Sequence, residues 1–342
     1  MHDTTVVVTG GSGFLGVHTI VQLLAAGHNV RTTIRSPNRE ADVRTMIAAA
    51  GVNPGDRLAF AIADLTSDDG WDTAVAGADY VLHMASPFPP AAPAHEDDLI
   101  VPARDGTLRV LSAARDAAVK RVVVTSSFAA IGYGHRGSGP FGETVWTNVD
   151  APIGAYIKSK TLAEKAAWDF IETDGGAMEL VVINPSGIFG PALGADYSSS
   201  LNMVKALLER QIPFLPDVTF GAVDVRDVSA LHIQAMVDQR AIGQRIIAAS
   251  AFTSMAEIAS ILRLNLGDEA ARVPDRPIPT WLLKALAVFV KPLGEMASNA
   301  GTRREPQLGK ARGLLGWSPR PLTETMIDTA HSLQGLHTST GR

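Results

Sequence analysis

The first half of the chain alternates short apolar, β-branched runs with segments of helical periodicity. The strand candidates are TTVVVTG, NVRTTIR, RLAFAIADL, DYVLHMAS, RVVVTSS and LVVINPSGIFG. The helical patterns between them include FLGVHTIVQLLAAGH, which Gly27 closes, and ADVRTMIAAAG. Continuous apolar strands that alternate with helices are typical of βαβ units, whose parallel sheet is covered on both faces. We therefore predict an α/β fold in which right-handed crossovers produce a doubly wound parallel sheet.

The alternation breaks after Gly190. PALGADYSSS is predicted to be a loop, residues 201–210 a helix, and FGAVDVRDVSALHIQAM a short strand that leads into a helix. QRIIAAS is predicted to return a strand to the main sheet, and helices with proline-rich connections predominate from Phe252 onward. The predicted division is a nucleotide-binding domain over 1–190, to which 222–250 returns, and a smaller, mostly helical substrate lobe over 191–221 and 251–342.

Composition and charge exclude several classes of protein. Apolar residues make up 46% of the 342 positions and charged residues 19%, which is typical of a globular chain. The net charge of −5 gives no reason to expect nucleic acid or an anionic membrane as a partner. The chain has no cysteine, so disulfides and thiolate chemistry are excluded, and its histidines lack metal-ligand spacing, so we expect no metal. Neither a signal peptide nor an apolar run of about twenty residues is visible, so a cytoplasmic location is expected.

A glycine-rich loop separates the first strand from the first helix. VVVTGGSGFLGVHTI contains Gly10, Gly11, Gly13 and Gly16, which fit both G-x-G-x-x-G and G-x-x-G-x-x-G. Such glycines make a tight turn, let the backbone approach a pyrophosphate, and let helix and strand pack closely. The helix start at Phe14 and Leu15 would offer N–H groups and a partial positive charge to the phosphates. A purely structural turn is the alternative, but the order of strand, loop and helix favours dinucleotide binding in a Rossmann fold.

The end of the second strand indicates which dinucleotide is bound. NAD sites usually carry an acidic residue there, which binds the ribose 2′-hydroxyl. This chain instead has TTIRSPNR, with Arg35 at that position and Arg39 shortly after it. A guanidinium binds a 2′-phosphate through charge-assisted hydrogen bonds, whereas a carboxylate would repel it. We therefore favour NADP(H) over NAD, with a solvated helix start as the alternative interpretation of Arg39.

Candidate chemistry lies in YIKSK and TSS. Tyr156 and Lys160 are four residues apart, so they would share one face of a helix. A tyrosine has a pKa near 10, and a nearby ammonium favours the phenolate, which would suit the pair to acid–base catalysis. Ser126 and Ser127 end a predicted strand, where a hydroxyl could stabilise a developing oxyanion. On its own the spacing is more often coincidence, but the glycine loop and the strand-end serines favour catalysis.

These segments together resemble the extended form of the short-chain dehydrogenase/reductase superfamily along nearly the whole chain. The resemblance rests on TGGSGFLG, on ADL at Ala63–Leu65, on HMASP at His83–Pro87, on TSS, on YIKSK and on NPSGIFGP at Asn184–Pro191. HMASPF, Y-x-x-S-K and the late LLGWSPRPLTETMIDT look closest to the dihydroflavonol reductase-like branch. That branch includes NADPH-dependent aldehyde and ketone reductases.

The resemblance implies a role for each matching residue. Tyr156 would protonate a carbonyl oxygen, Lys160 would lower the phenol's pKa and hold the nicotinamide ribose, and Ser127, in preference to Ser126, would polarise the carbonyl. The remaining cofactor contacts that it implies are Asp64 and Leu65 at the adenine, Ala85 on the ribose side of the nicotinamide, and Pro185 and Ser186 at the nicotinamide ring. Thr125 is also expected to contact the cofactor.

The expected reaction is reduction of a small-molecule aldehyde or ketone by NADPH, in a monomer or a homodimer. A hydroxysteroid dehydrogenase, a sugar-nucleotide epimerase or dehydratase, and a non-catalytic NADP-binding sensor are the alternatives. Arg35 argues against the epimerases, which generally hold NAD, and the intact Tyr156 argues against the sensor. Phe88, Tyr197 and Phe220 are candidates for the substrate pocket, although the SPFPPAAP run that contains Phe88 also fits a surface loop.

Overall fold

A parallel sheet of seven strands forms the centre of the computed structural model, which describes residues 4–87, 93–135, 137, 139–194, 198–289 and 294–340. The strands of all the sheets in the described part of the chain are β1 (Thr5–Thr9), β2 (Asn29–Ile34), β3 (Leu58–Ile62), β4 (Tyr80–His83), β5 (Arg121–Thr125), β6 (Glu179–Pro185), β7 (Gly187–Phe189), β8 (Leu215–Pro216), β9 (Thr219–Asp224), β10 (Arg245–Ala248), β11 (Ala251–Ser254) and β12 (Pro277–Ile278). The central sheet has the order β10-β6-β5-β4-β1-β2-β3, and every pairing in it is parallel. The predicted α/β, doubly wound fold is confirmed.

Helices cover both faces of this sheet. The helices in the described part of the chain, including those of the C-terminal lobe, are α1 (Phe14–Ala25), α2 (Arg39–Ala49), α3 (Trp71–Val75), α4 (Asp97–Asp116), α5 (Ala155–Thr173), α6 (Ser199–Leu208), α7 (Val225–Val237), α8 (Met255–Leu266), α9 (Thr280–Ala287), α10 (Gly294–Asn299), α11 (Lys310–Leu315) and α12 (Leu322–Thr340). Side chains of α1, α2, α7 and α11 pack on one face, and those of α3, α4 and α5 pack on the other.

The apolar run of β1 explains why both faces are covered. Successive strand side chains point to opposite faces, so Val6 and Val8 enter one core and Val7 enters the other. All three are fully buried. A strand without polar alternation needs an apolar layer on each side, and the flanking helices supply it.

The strand order reverses at β1, which lies between β2 and β4. Connections on either side of such a switch point run in opposite directions, which leaves a crevice outside the carboxyl ends of the strands. We call this side of the sheet the carboxyl edge and the opposite side, where the strands begin, the amino edge. The glycine loop and the predicted catalytic serines both follow strands at the carboxyl edge.

The C-terminal lobe has small sheets and a core of its own. β11, β9 and β7 form one sheet in that order, and β12 pairs with β8. The lobe core combines α6, α8 and α12 around residues such as Phe189, Leu262 and Met326. The segment that returns to the central sheet contributes β10 beside β6 and α7 on the face of α1.

One strand prediction was wrong. LVVINPSGIFG does not form a single strand, because β6 ends at Pro185 and β7 begins at Gly187 in a different sheet. Ser186 lies between the two strands, and its N–H donates to the Ala248 carbonyl of β10 at 3.0 Å. The apolar run therefore links the central sheet to the lobe.

Most of α9 lies in the late apolar segment WLLKALAVFV, and this helix is amphipathic. Leu283 is buried, whereas Trp281 in the same helix and Phe289 just after it are exposed. Among the described residues, no helix combines the length and apolar character needed to cross a bilayer.

Candidate active site

The glycine loop is a tight turn between β1 and α1. Gly10 has φ +72°, and the N–H of Gly13 donates to its carbonyl oxygen at 3.0 Å. A side chain on Gly16 would collide with that same carbonyl, and one on Gly11 would collide with Thr32 in β2. Gly16 and Gly11 are therefore required by packing, and Gly10 and Gly13 shape the turn itself.

The start of α1 fits the pyrophosphate of a dinucleotide. Its first turn, which contains Phe14 and Leu15, carries no acidic residue, and within the described part of the chain no side chain caps it. The first N–H groups of a helix carry partial positive charge and need acceptors. Gly10 also packs closely on the loop that follows β4, since a Cβ on Gly10 would lie 2.9 Å from the Ala85 Cα. This brings two predicted cofactor residues, Gly10 and Ala85, into contact.

The residues predicted for the adenine end lie beyond β2 and β3. Arg35 follows the last residue of β2 and is exposed. Asp64 follows β3, and its carboxylate accepts from the N–H and hydroxyl of Thr66 at 2.8 and 2.7 Å. These hydrogen bonds lower the pKa of Asp64, and the Arg35 charge lowers it further, so the two predicted residues are near neighbours. Arg39 begins α2, where its Nη1 lies 3.4 Å from Asp42 Oδ2, and Leu65 is half-buried beside Asp64.

At the carboxyl edge, β1 and β4 end in a buried hydrogen-bonded pair. Thr9 Oγ1 lies 2.9 Å from His83 Nδ1 and accepts from the N–H groups of Met84 and Ala85, each at 3.0 Å. Burial, with the nearby Lys160 charge, lowers the pKa of His83 to about 3. His83 is therefore neutral, and Thr9, to which it is hydrogen-bonded, fixes the loop after β4.

Ser127 and Tyr156 come together where β5 ends and α5 begins. Ser127 Oγ accepts from the N–H of Ala129 at 3.1 Å and hydrogen-bonds with the Tyr156 phenol. Tyr156 lies in the first turn of α5, so the start of that helix carries the phenol to the strand end. Ser126 points elsewhere, as alternate residues of an extended chain do, and donates to Glu164 at 2.5 Å.

Lys160 lies one turn further along α5. Its Nζ donates to the Thr125 carbonyl at 3.4 Å, and burial lowers its pKa to about 8, against the opposing effect of Glu164. A cavity of about 20 Å³ lies against it, also lined by His83 and Ser126. The lysine is thus held at the strand ends with its charge only partly compensated.

The structure adds an influence on the phenol's pKa that opposes the lowering expected from Lys160. Burial raises the pKa of Tyr156, and this effect outweighs the lowering by the Ser127 hydrogen bond. The attraction between ammonium and phenolate can be predicted from the spacing of the two residues. The desolvation of the phenolate, which acts in the opposite direction, depends on the packed fold.

Thr125, Pro185 and Ser186 lie at the ends of β5 and β6. The Thr125 hydroxyl is 2.8 Å from His232 Nε2, and burial lowers the pKa of this histidine to about 4. Pro185 pairs with Ala248 in the sheet, and the Ser186 hydroxyl oxygen is buried without a hydrogen-bond partner among the described residues. An unsatisfied hydroxyl at this edge is suited to receive a ligand group.

The substrate-pocket candidates are not brought together by the described residues. Phe220, in β9, stacks on Phe189 with ring centroids 6.1 Å apart and packs against the lobe core. Phe88 and Tyr197 lie outside the described residues. The three assignments therefore stay predictions.

Sequence reasoning missed a buried polar group behind the serines. Glu164 is 1% exposed and accepts from Ser126, from Asn184 Nδ2 at 2.7 Å and from Arg245 in β10. A signal was available, because Tyr156, Lys160 and Glu164 repeat at four-residue spacing along one helix face. The partners on β6 and β10 had no comparable signal.

Comparison with known proteins places the chain in a family. The model of the NAD dependent epimerase/dehydratase family matches residues 6–248. Tetraketide alpha-pyrone reductase 2 of Arabidopsis thaliana is 37% identical over 269 residues, which cover 75% of this chain and 81% of the relative. Anthocyanidin reductase of Vitis vinifera is 33% identical over 294 residues, covering 81% and 83%. The crystal structure of yeast methylglyoxal/isovaleraldehyde reductase complexed with NADPH superposes with a TM-score of 0.80 at 28% identity, covering 98% of this chain and 99% of the yeast chain.

The chain belongs to the NAD dependent epimerase/dehydratase family. Within it, the chain groups with the dihydroflavonol reductase-like reductases of the extended short-chain dehydrogenase/reductase superfamily, which confirms the resemblance inferred from the motifs.

Proposed function

We propose that the protein is an NADPH-dependent reductase that converts an aldehyde or a ketone to an alcohol. The observation that carries the proposal is the hydrogen bond between Ser127 and Tyr156 at the carboxyl edge, with Lys160 one helical turn away. These groups supply a donor for a carbonyl oxygen, a proton and a cation, which are the protein's contributions to carbonyl reduction. The relatives that are named as reductases support the same class of reaction.

NADPH, when bound, supplies the hydride that forms the new C–H bond. The Tyr156 phenol gives its proton to the carbonyl oxygen, which forms the O–H bond of the alcohol, while the Ser127 hydroxyl donates a hydrogen bond to that oxygen. Because burial raises the pKa of Tyr156, the phenol is protonated at neutral pH and ready to act as the acid. The Lys160 ammonium stabilises the phenolate that remains after proton transfer.

The cofactor site extends from the glycine loop to Arg35. Gly10, Gly13 and Gly16 bring the uncapped start of α1 to the pyrophosphate, and Arg35 binds the 2′-phosphate that distinguishes NADPH from NADH. The NADPH in the yeast structure supports this choice of cofactor. The geometry of the loop and the exposed guanidinium are compatible with it.

The reaction is tested with NADPH and a panel of aldehydes and ketones, followed by the loss of nicotinamide absorbance. We expect turnover in the wild type and a fall in kcat of about 10²–10⁴-fold in Tyr156→Phe, because the phenylalanine ring has no proton to give. NADPH binding, measured by calorimetry, should be retained. A Tyr156→Phe variant that keeps full turnover contradicts the proposed acid.

The cofactor preference is tested with Arg35→Asp. A carboxylate in place of the guanidinium should weaken NADPH binding by tenfold to about a hundredfold and leave NADH binding little changed. Arg44→Asp is the matched control, since Arg44 lies on α2 and pairs with Glu40 at 2.9 Å. Equal weakening of both cofactors by Arg35→Asp rules out a role in reading the 2′-phosphate.

A further inference from the structure

Glu164 is a buried carboxylate that the proposed reaction leaves without a role. It follows Lys160 by one turn of α5, as Lys160 follows Tyr156, so the three lie along one helix face. With 1% of its surface exposed, the carboxylate depends on protein partners to compensate for lost hydration.

The partners of Glu164 connect it to both serines that end β5. Ser126 Oγ donates to it at 2.5 Å, which fixes the residue before Ser127. Asn184 Nδ2 donates to it at 2.7 Å and also donates to the Ser127 carbonyl at 3.2 Å. The backbone of Ser127 is therefore held by Ser126 on one side and by Asn184 on the other, and both of these side chains donate a hydrogen bond to the Glu164 carboxylate.

Arg245 completes the compensation of the charge. Its Nε donates to Glu164, and its Nη1 donates to the carbonyls of Glu143 and Val145 at 2.6 and 2.9 Å. Its guanidinium also stacks 3.6 Å from the centre of the Trp146 ring. Arg245 thus anchors the carboxylate to the loop that leads into α5.

The charged and titratable groups that face Lys160 are few among the described residues. Glu164 and Tyr156 face it from α5, and His83 faces it from β4. His83 is neutral because burial lowers its pKa to about 3. Glu164 is then the negative charge that opposes the effect of burial on the ammonium.

We propose that Glu164 is a positioning residue for the proposed carbonyl reduction: through Ser126 and Asn184 it fixes the Ser127 hydroxyl, and through its charge it keeps Lys160 protonated. The inference rests on the proposed function, because Ser127 and Lys160 receive their roles there. It assigns to Glu164 no contact with substrate or cofactor.

The chain offers a matched control for loss of a buried ion pair. Arg121 is fully buried, and its Nη2 lies 2.6 Å from Glu179 Oε2 at the amino edge. Glu164→Gln and Glu179→Gln both replace the carboxylate partner of a buried arginine with an amide of the same shape. Both variants should lose stability, and a purely structural role for Glu164 predicts the same kinetics in both.

The decisive experiment compares the pH profiles of kcat in the wild type and the two glutamine variants. In Glu164→Gln we expect kcat to fall about tenfold or more with little change in KM, because the amide has one acceptor oxygen in place of two and cannot hold Arg245 together with Ser126 and Asn184, so the Ser127 donor is positioned less well. Its alkaline limb should move to lower pH, because Lys160 loses the charge that opposes burial and deprotonates earlier. Glu179→Gln should keep the wild-type profile.

A second experiment measures the pKa of Lys160 directly and does not depend on turnover. In protein carrying ¹³C-labelled lysine, with the resonance assigned through Lys160→Arg, the pKa of Lys160 should be lower in Glu164→Gln than in the wild type and in Glu179→Gln. Equal values in all three proteins overturn the electrostatic part of the proposal. If the wild type reduces no carbonyl, the proposed function fails, while this titration still decides whether Glu164 sets the charge of Lys160.

Asn184→Ser covers the case in which Glu164→Gln does not fold. It removes the side chain that joins the carboxylate to the Ser127 carbonyl and leaves the Glu164–Arg245 pair in place. We expect kcat to fall while the alkaline limb stays where it is in the wild type. A kcat equal to that of the wild type overturns the positioning role.

Discussion

At the amino edge of the central sheet, charged side chains form ion pairs and hydrogen bonds that join one element of the fold to another. Arg121 donates to Glu179 at 2.7 Å and to the carbonyls of Ala235, Met236 and Asp238 at 2.8–3.0 Å. The first two of these carbonyls lie in the last turn of α7, where backbone acceptors have no partner within the helix. A buried cation there satisfies the helix end and opposes its partial negative charge.

At the carboxyl edge, polar side chains lie close together, and some of them have shifted pKa values or, within the described part of the chain, lack a hydrogen-bond partner. Tyr156 and Lys160 have pKa values shifted by burial, to a higher value for the phenol and to about 8 for the ammonium. Buried oxygens of Asn184 and Ser186 have no hydrogen-bond partner among the described residues, whereas at the amino edge the Arg121 Nη2, which also makes no hydrogen bond there, is compensated by Glu179 Oε2 at 2.6 Å. Unsatisfied buried oxygens lower stability, and groups with shifted pKa values are typical of functional sites.

The difference follows from the direction of the strands. In a parallel sheet every strand ends at the same edge, and the connections that leave it diverge at the switch point to form a crevice. At the amino edge the strands begin, and there the buried charge of Arg121 pairs with Glu179 and caps α7. Substitutions at the two edges should therefore separate effects on stability from effects on turnover.

The largest effect at the amino edge is expected from Arg121→Met. Removing the guanidinium leaves Glu179 and three carbonyls without their donor, which should lower the free energy of unfolding by about 3–5 kcal/mol. Denaturant unfolding measures this loss, and kcat per folded molecule should be unchanged. Arg121→Lys, which keeps the charge but not the multiple donors, should lose less. A large fall in kcat of the folded fraction would break the proposed separation of the two edges.

Acid titration is the next largest test, and it concerns the carboxyl edge. His83 and His232 have native pKa values of about 3 and about 4, below the ordinary 6.5, because both are buried as neutral rings. Below pH 6.5 the unfolded chain binds protons that the native protein does not, so stability falls as the pH is lowered. At pH 5 each histidine should account for about 2 kcal/mol of lost unfolding free energy.

Urea unfolding of the wild type and His83→Asn at pH 7 and pH 5 measures this effect. The asparagine retains a polar group to pair with Thr9 but does not titrate. The loss of unfolding free energy between pH 7 and pH 5 should therefore be smaller in His83→Asn by the contribution of His83. If both proteins lose the same free energy between pH 7 and pH 5, His83 is not held neutral as the structure indicates.

Much of the fold could be predicted from local signals. The glycine loop, the apolar strands and the spacing of Tyr156 and Lys160 are short-range patterns, and each one constrains the backbone directly. The division of NPSGIFG between two sheets could not be predicted, because it depends on β9 and β10, which come later in the chain. The pairing of Glu164 with Arg245 joins residues 81 positions apart, and neither residue type indicates its partner.

The direction of the Tyr156 pKa shift shows the same limit within the site. The sequence shows that a lysine lies one turn away, but it does not show how much water the fold removes from the phenol. Burial is a property of the whole packed structure, and here it dominates the pKa. The identities of the candidate residues were therefore accessible from the sequence, and their electrostatics were not.

The smallest effect is expected at an exposed contact of the amino edge. Asp79 Oδ2 accepts from the N–H of Thr5 at 2.8 Å, at the start of β1. Asp79→Ala should lower the free energy of unfolding by about 1 kcal/mol, because water replaces much of the lost hydrogen bond at an exposed position. Asp79→Asn keeps a carbonyl acceptor and should lose less. Urea unfolding and hydrogen exchange of the Thr5 amide measure the change.

The same variant tests the separation of the two edges, because β1 carries the glycine loop at its other end. An altered KM for NADPH in Asp79→Ala would show that β1 couples the two edges of the sheet and would contradict their separation.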